Sequence, residues 1–246
     1  MNLDLSSLTP SERCDVHAYW RYHARRFAVL RSIVAKVVPN RRARILDIGP
    51  NVQTALLREA LPDARVDTMG FAHPLVPPRE GEQHVEVDLN EAVWDVRTPA
   101  RSARTAGPDL EESYDVVVLA EVIEHLHVPA QLTMSYCATL LRPSGTLIVQ
   151  TPNAVALHKR VRMLLGASPF EPLRLSRDNP GHFHEYTLTE LDEAARPAGL
   201  EPTGVITANY FGNLDLRRRG YAALGRVLPP SLRHGITAWY TRRVRA

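Results

Sequence analysis

The segment Tyr114–Ala120, YDVVVLA, constrains the fold more than any other part of the chain. It is almost wholly apolar, which is typical of a strand that is covered on both faces. Further apolar segments, RILDIG at 44–49 and TLIVQT at 146–151, alternate with segments in which apolar residues recur at helical spacing. Strands that alternate with helices predict an α/β fold with a doubly wound, mostly parallel sheet.

The other elements are predicted from the same two periodicities and from the residues that interrupt them. Apolar runs predict further strands at 66–71, 84–89 and 201–210. Helical spacing predicts helices at 17–38, 54–61, 130–141 and 187–198. The last of these helices begins with the capping-box pair Thr187 and Glu190.

A single domain is expected over residues 1–246, because a chain of this length forms one α/β domain without difficulty. It is predicted to consist of three parts: a helical segment at 1–40, a core at 41–212 with an insertion at 153–186, and a basic helical tail at 213–246. Hydrophobic residues make up 44% and charged residues 23%, which excludes wholesale disorder.

Composition also indicates the cellular compartment. No run of 18 apolar residues occurs, and the first fifteen residues lack the apolar segment of a secretory signal. The two cysteines, Cys14 and Cys137, are far apart and form neither a disulfide framework nor a CxxC pair. These features predict a protein of the reducing cytoplasm.

The charge is unevenly distributed. Residues 16–46 and 216–246 each contain eight Lys or Arg and no acid, although the net charge of the chain is only +3. The basic ends are interpreted either as solvated helices or as a docking surface for an anionic membrane, a phosphorylated carrier or nucleic acid. A homodimer through the terminal helices is an equally open alternative.

The loop after the first strand suggests a cofactor site. Gly49 permits a sharp turn and a close approach of backbone to a ligand, and Asp47 can hold the loop or the ligand by hydrogen bonds. Pro50 lacks an N–H, which disfavours a pyrophosphate cradle, and Asn51 tolerates positive φ. The segment LDIGPN resembles the first motif, LDxGxGxG, of class I S-adenosylmethionine (SAM) methyltransferases, with Pro50 and Asn51 in place of the second glycine.

The resemblance extends over residues 44–212. YDVVVLAEVIEHL followed by LLRPSGTLIVQTPN resembles the fourth and fifth strands of these enzymes, which implies a Rossmann-like class I methyltransferase fold. SAM is the implied cofactor. The family's ribose-binding acid is missing from its usual place, and Asp67 lies slightly early. The resemblance further implies cofactor contacts from the ends of the third and fourth strands: Asp88, Leu89, Ala120 and Glu121.

A cluster of carboxylates and imidazoles follows the fourth strand. Glu121, Glu124 and His125 would share one face of a helix, and His182 precedes the last predicted helix. Two carboxylates and two imidazoles can form a divalent metal site. The pattern resembles the magnesium-dependent small-RNA terminal 2′-O-methyltransferases and the ubiquinone-pathway O-methyltransferases. That resemblance implies Mg²⁺, or Mn²⁺, on these four residues; a purely structural role is the alternative.

The predicted metal site favours an alcohol as the methyl acceptor. An aliphatic hydroxyl is a poor nucleophile until a metal lowers its pKa and a base removes its proton. His184 and His127 are the candidate bases, and His158 is expected at the surface. Residues 153–180 are expected to form the acceptor pocket or a lid, in which Arg162, Phe170 and Arg174 could contact a sugar or an anionic group.

The leading hypothesis is a SAM-dependent O-methyltransferase that acts on a hydroxyl of a saccharide or glycoconjugate, as in methylated polysaccharide biosynthesis. An RNA 2′-O-methyltransferase is an alternative, but the chain lacks interleaved aromatic and basic residues for stacking bases. A quinone or polyketide hydroxyl is another acceptor. A SAM-binding scaffold without catalysis is the non-enzymatic alternative. Tyr19, Trp20 and Tyr22 either cover the site or pack the first helix on the domain.

Overall fold

Helices and strands alternate along most of the chain. The computed structural model describes residues 10–38, 40, 42–93, 110–176, 180–210 and 227–244. The helices are α1 (Pro10–Val37), α2 (Val52–Ala60), α3 (Leu89–Ala92), α4 (Ala130–Leu140), α5 (Leu157–Leu164) and α6 (Leu188–Ala195). The strands are β1 (Arg44–Ile48), β2 (Arg65–Gly70), β3 (His84–Glu86), β4 (Tyr114–Ala120), β5 (Leu141–Pro152), β6 (Leu200–Ala208) and β7 (Gly235–Arg242). Short 3-10 helices lie at Ile123–His125, Arg196–Ala198 and Pro230–Leu232.

The described strands form one sheet in the order β3-β2-β1-β4-β5-β7-β6. The pairs from β3 to β5 are parallel, and β7 runs antiparallel to both β5 and β6. The predicted α/β architecture with a mostly parallel sheet is therefore confirmed. Because ligands bind at the carboxyl ends of parallel strands, the loops after β1, β2, β3 and β4 are the place to search for a site.

Helices cover both faces of the sheet. Alternate residues of each central strand enter two separate apolar clusters, as the pleat requires. On one face, Ile45 and Val118 pack with Leu30 and Ile33 of α1. On the other face, strand residues of the opposite parity pack with α4 and α6, among them Leu46. This double burial explains why the central strands are apolar at consecutive positions.

Among the described helices, α2 and α6 begin at side-chain caps that the sequence carries. Thr187 and Glu190 form the predicted capping box at the start of α6. Asn51 caps α2 by accepting a hydrogen bond from the N–H of Gln53 at 2.8 Å, and the Thr54 hydroxyl accepts from the N–H of Asn51 at 3.0 Å. The second cap ties the beginning of α2 to the loop after β1, which the sequence suggested for the cofactor.

The predicted basic helical tail at 213–246 is wrong in its last part. Gly235–Arg242 is a strand that lies inside the sheet between β5 and β6, so the core does not end at residue 212. Its basic residues follow its apolar run, which reads ITAWY, and the side chains of Ile236, Ala238 and Tyr240 are buried. Residues 213–226, 245 and 246 of the predicted tail lie outside the described residues. No helix in the described ranges is long and apolar enough to cross a membrane.

Candidate functional site

Two cavities open beside the carboxyl ends of the parallel strands. The larger one, about 1070 Å³, is lined by residues of the loops after β1 to β4, including Gly49 and Asp88. The smaller one, about 640 Å³, is lined by residues of α1, α5 and the segment around His182. Glu121 lines both cavities, which places it between them.

The loop after β1 is held from beneath by a buried carboxylate. Asp47 accepts hydrogen bonds from the Thr54 hydroxyl at 2.6 Å and from Gln53 Nε2 at 2.9 Å. Burial raises the pKa of the Asp47 carboxyl to about 6, although both hydrogen bonds favour its ionised form. Of its two predicted roles, holding the loop is the one these contacts support, because both oxygens are already engaged.

Gly49 is the residue of this loop that requires its own backbone freedom. Its φ is +77°, whereas Asn51 is extended with φ −159°, so the turn needs no positive φ from asparagine. A Cβ at Gly49 would lie 2.5 Å from Cγ2 of Val122. Gly70, at the end of β2, also lines the larger cavity and has a φ of +117°.

Five of the nine residues predicted to bind the cofactor do not line the larger cavity: Asp47, Pro50, Asn51, Asp67 and Ala120. Asp67 is the clearest correction: it is fully buried and accepts hydrogen bonds from Nε of Arg44 and of Arg65 at 3.0 and 2.8 Å, toward the amino ends of the strands. The side chain of Ala120 packs against the helices on one sheet face. Pro50 is buried beside Gly70.

The loop after β3 agrees better with the sequence-based prediction. Asp88 and Leu89 both line the larger cavity, as do Asn90 and Phe71, which sequence reasoning missed. Asp88 is exposed and caps α3 by accepting from the N–H of Asn90 at 2.9 Å. Phe71, directly after β2, has an exposed ring and lies where the family resemblance implies a ribose-binding acid.

Glu121 does not share a helical face with Glu124 and His125. Its backbone is in the left-handed region, with φ +55°, at the end of β4, and the 3-10 helix begins only at Ile123. Its Oε2 lies 3.3 Å from Nη1 of the buried Arg26 of α1. A non-glycine residue with this φ is strained, and such strain is concentrated at functional sites.

The other three predicted metal ligands come together. One carboxylate oxygen of Glu124 and one ring nitrogen each of His125 and His182 lie within 4.8 Å of one another, and Glu121 is not part of this group. The backbone N–H of Phe183 donates to the carbonyl of Glu124 at 2.8 Å, which fixes the 181–186 segment on the 3-10 helix. The sequence predicted this pairing of distant segments.

Each of these three side chains is also oriented by a hydrogen-bond partner outside the group. Nδ1 of His125 lies 2.9 Å from the carbonyl of Gly181, and Nδ1 of His182 lies 3.1 Å from Oε1 of Glu185. Oε2 of Glu124 accepts from the Thr151 hydroxyl at 2.9 Å. Its Oε1 is buried and has no hydrogen-bond partner among the described residues. A buried carboxylate oxygen without a partner is costly, so a donor or a cation is expected there.

The protonation states of the two imidazoles suit a cation site. Burial raises the pKa of the Glu124 carboxyl to about 7, and burial and the neighbouring His125 lower the pKa of His182 to about 4. Burial also lowers the pKa of His125. Both rings are therefore neutral near pH 7, the form that binds metal.

The two candidate bases lie away from the smaller cavity. Nε2 of His184 is 3.5 Å from Oε1 of Glu190, and its ring contacts Tyr186; it lines neither cavity. His127 is exposed at the rim of the larger cavity, where its ring meets that of Phe183.

Other imidazoles line the smaller cavity. His158, expected at the surface, stacks on His234 with ring centroids 5.2 Å apart. His23 and Tyr22 of α1 also line this cavity, whereas Trp20 packs on α2 beside Phe27. Burial lowers the pKa of His23 to about 3 and that of His158 to about 4. Sequence reasoning missed His23 and His234 because neither belongs to a motif.

Lys159 is the buried cation of the smaller cavity. Its Nζ donates to the carbonyl of Asn153 at 3.1 Å and forms an ion pair with Glu185. Burial lowers the pKa of Lys159 to about 8. Of the insertion residues singled out in the sequence, Arg174 lines the cavity, whereas Arg162 donates to the carbonyl of Ser168 outside it.

Comparison with known proteins identifies the family. Residues 21–205 match a family model described as a methyltransferase domain. A "Probable S-adenosylmethionine-dependent methyltransferase" of Mycobacterium tuberculosis is 30% identical over 174 residues, which cover 63% of this chain and 58% of that protein. A ubiquinone biosynthesis O-methyltransferase of Bordetella avium is 26% identical, with 68% and 66% covered. The chain thus spans less than two thirds of the mycobacterial relative.

Solved structures agree on the fold. A chain from the complex between the Trm112 methyltransferase activator and a methyltransferase of Haloferax volcanii superposes with a TM-score of 0.62 at 14% identity, covering 96% of both chains. A Burkholderia thailandensis N-methyltransferase with bound S-adenosylhomocysteine gives 0.53 at 18% identity, covering 96% of this chain and 91% of that one. With its sheet order and its family match, the chain belongs to the class I S-adenosylmethionine-dependent methyltransferases.

Proposed function

We propose that this protein transfers the methyl group of SAM to a hydroxyl of a saccharide or glycoconjugate, with a divalent cation beside the acceptor. The observation that carries the proposal is the group Glu124, His125 and His182. His125 lines the larger cavity and His182 lines the smaller one, so the group adjoins both. That is the place where a methyl donor and its acceptor would meet.

The residues proposed to hold SAM line the larger cavity. Gly49 keeps the wall after β1 free of a side chain, and the exposed carboxylate of Asp88 can accept hydrogen bonds from the cofactor's hydroxyl or amino groups. Leu89 supplies apolar surface beside it. The absence of an N–H at Pro50 is no obstacle, because SAM carries no phosphate.

Mg²⁺ is the proposed cation, with Mn²⁺ as the alternative. When bound, such a cation lowers the pKa of a coordinated hydroxyl and so makes it nucleophilic. The buried oxygen Oε1 of Glu124 would be one ligand, and His125 and His182 would offer the ring nitrogens opposite Nδ1. The two imidazoles also admit cobalt or zinc, since Mg²⁺ alone prefers oxygen ligands.

The polar lining of the smaller cavity supports a polyhydroxylated acceptor. It presents imidazole, carboxylate, ammonium and amide groups, which can exchange hydrogen bonds with several hydroxyls. They belong to Glu121, His158, Lys159, Asn209 and His234. The proton acceptor is better sought among the imidazoles that line this cavity, such as His23 and His158, than at His184, which lines neither cavity.

The names of the Bordetella relatives favour a second acceptor, a quinol hydroxyl. A quinol is flatter and more apolar than a saccharide, so it would use the aromatic rings of the cavity more than its carboxylates. The metal group serves either acceptor, because vicinal oxygens chelate in both.

The test is a methyl-transfer assay with labelled SAM against saccharides, quinols and short RNAs, with and without Mg²⁺. We expect turnover on saccharides, loss of turnover in EDTA, and recovery with Mg²⁺ or Mn²⁺. Glu124→Gln and His182→Gln are expected to lower kcat on the order of 100-fold, while S-adenosylhomocysteine affinity by calorimetry stays within about threefold. His184→Gln is the matched control and should retain its rate. Full activity in chelator would refute the metal, and cofactor binding without turnover on any acceptor would favour the SAM-binding scaffold.

A further inference from the structure

The insertion after β5 projects an apolar surface away from the domain. Within residues 160–176 every side chain is exposed except that of Pro169, which is half-buried. Leu164 and Leu165 are 86% and 79% exposed. We define the apolar patch as six side chains of this segment: Val161, Met163, Leu164, Leu165, Leu173 and Leu175. An aliphatic surface of this kind, concentrated in fifteen residues, marks an interaction site.

The segment is anchored at both ends. Lys159, one residue before it, is buried and bonded to the carbonyl of Asn153 and to Glu185. Near its end, the N–H of Arg174 donates to the carbonyl of Pro180 at 2.8 Å. The patch is therefore held in place by the domain and does not depend on a partner for its position.

Cationic side chains flank the patch. Residues 160–176 contain three arginines and one acid, Glu171, which Arg174 contacts at 3.1 Å. Arg160 and Arg162 are exposed, and each donates Nε to a backbone carbonyl, of Val155 and Ser168. Aliphatic side chains beside guanidinium groups match a bilayer surface, whose acyl region accepts the former while its anionic headgroups attract the latter.

The composition favours a membrane over a protein partner. Protein interfaces take their binding energy mainly from tyrosine, tryptophan and arginine anchors set in pockets. The six side chains of the patch include no aromatic residue. Phe170 of the same segment is 42% exposed, and the centroid of its ring lies 5.7 Å from Nζ of the buried Lys159. Aliphatic residues without directional groups suit a fluid hydrocarbon surface better than a shaped pocket.

The patch adjoins the smaller cavity. His158, Lys159, Pro169 and Arg174 line that cavity and belong to, or immediately precede, the segment that carries the patch. A surface that contacts the patch would therefore lie beside the opening of the cavity. An acceptor held in that surface by an apolar tail could place its polar head in the cavity.

We propose that the apolar patch docks the protein on an anionic membrane, and that the acceptor is a membrane-borne amphiphile whose polar hydroxyl head enters the smaller cavity. The second half of this proposal rests on the proposed function, and the docking half does not. The protein would lie on one leaflet, with Leu164 and Leu165 inserted and Arg160 and Arg162 at the headgroups.

The test is flotation of the full chain with two kinds of vesicle, without SAM or acceptor. One kind contains phosphatidylcholine alone, and the other contains about 30% phosphatidylglycerol, which is anionic. We expect the protein to float with the anionic vesicles. Arg160→Gln with Arg162→Gln should weaken this binding on the order of 25-fold, at about a factor of five per charge. Leu164→Glu with Leu165→Glu should weaken it at least about tenfold.

Val205→Glu is the matched control, because Val205 is a 43% exposed apolar residue on β6, outside the patch. It should bind as the parent does, and all variants should retain the parent's S-adenosylhomocysteine affinity and melting temperature.

Equal vesicle binding by parent and patch variants would assign binding to the basic C-terminal segment and overturn the proposal. Concentration-dependent dimers that Leu164→Glu dissolves, without vesicle binding, would assign the patch to a second copy. Methylation of soluble acceptors without vesicle binding would leave the proposed function standing alone.

Discussion

Two buried carboxylates at the carboxyl edge of the sheet serve different ends. Asp47 has both oxygens bonded within its own loop and helix. Glu124 has one oxygen bonded, and the other has no partner in the part of the chain that the structure describes. Both are raised in pKa by burial, so the pKa shift does not separate them. Their hydrogen bonds separate them: Asp47 supports the loop, whereas Glu124 has an oxygen that is available to a ligand.

Asp47 is predicted to make stability depend on pH. The folded state raises its pKa from 3.8 to about 6, so between these values the native protein binds a proton that the unfolded chain has released. The free energy of unfolding should fall as pH rises from 4 to 6 and then level off. Relative to Asp47→Asn, which cannot titrate, the parent should lose up to about 3 kcal/mol over this window, measured by urea denaturation. A constant difference between the two proteins would contradict the prediction.

The Arg26–Glu121 pair is predicted to be a costly pair to break. Arg26 is 1% exposed and Glu121 16%, so Arg26→Met leaves an uncompensated carboxylate and should lower the free energy of unfolding by about 3 kcal/mol. Adding Glu121→Gln should restore at least half of the loss, because the remaining group is then neutral. Urea denaturation of the four proteins of this double-mutant cycle gives the coupling energy; additive effects would disprove the pairing.

At the scale of elements, the site is made by contacts between loops that follow different strands. The loop after β1 contacts the one after β4 through Gly49 and Val122, and the 181–186 segment is bonded to the carbonyl of Glu124. The loop after β1 is short and capped by Asn51, so the positions of its side chains follow from the strand that it leaves. Because neighbouring parallel strands end at the same edge of the sheet, Gly49 after β1 lies close to Glu121 and Glu124 after β4.

Gly49→Ala tests the contact between the loops. Its Cβ would lie 2.5 Å from Cγ2 of Val122, and its φ of +77° disfavours any side chain, so we expect a loss of about 2 kcal/mol of stability and at least about tenfold weaker S-adenosylhomocysteine binding. Gly166→Ala is the control for backbone strain alone, since Gly166 has φ +73° and no described residue lies within 4 Å of the Cβ that alanine would add; it should cost about 1 kcal/mol. Adding Val122→Ala to Gly49→Ala should recover the difference. Equal losses at both glycines would show that the contact is unimportant.

At the scale of the whole molecule, β7 lies inside the sheet, between β5 and the edge strand β6. β7 pairs with β5 over Thr146–Pro152 and with β6 over Leu200–Ala208, so β6 reaches the rest of the sheet through β7. The buried Tyr240 donates to Asp192 of α6 at 2.9 Å, which links the strand to the helix layer. The C-terminal segment is a structural part of the domain and not an appendage.

Removal of residues 234–246 is therefore predicted to prevent folding. The truncated chain should lack a cooperative thermal transition by circular dichroism, because β6 loses its partner in the sheet and Tyr240 leaves the core. Truncation after Val244, two residues past the end of β7 in the described chain, is the control and should melt as the parent does. Cooperative melting of the shorter chain would show that β7 is dispensable.

The α/β class, six of the strands and the pairing of Glu124 and His125 with His182 are readable in the amino-acid sequence, because they follow from local periodicity and from a motif. β7 was missed because its apolar run is short and embedded among arginines, while its burial comes from strands distant in sequence. The same reason applies to Asp67, His23, His158 and Glu121. Whether a carboxylate or an imidazole faces a cavity, a neighbouring arginine or the interior depends on the direction of its Cα–Cβ bond after the sheet has assembled, and long-range packing sets that direction.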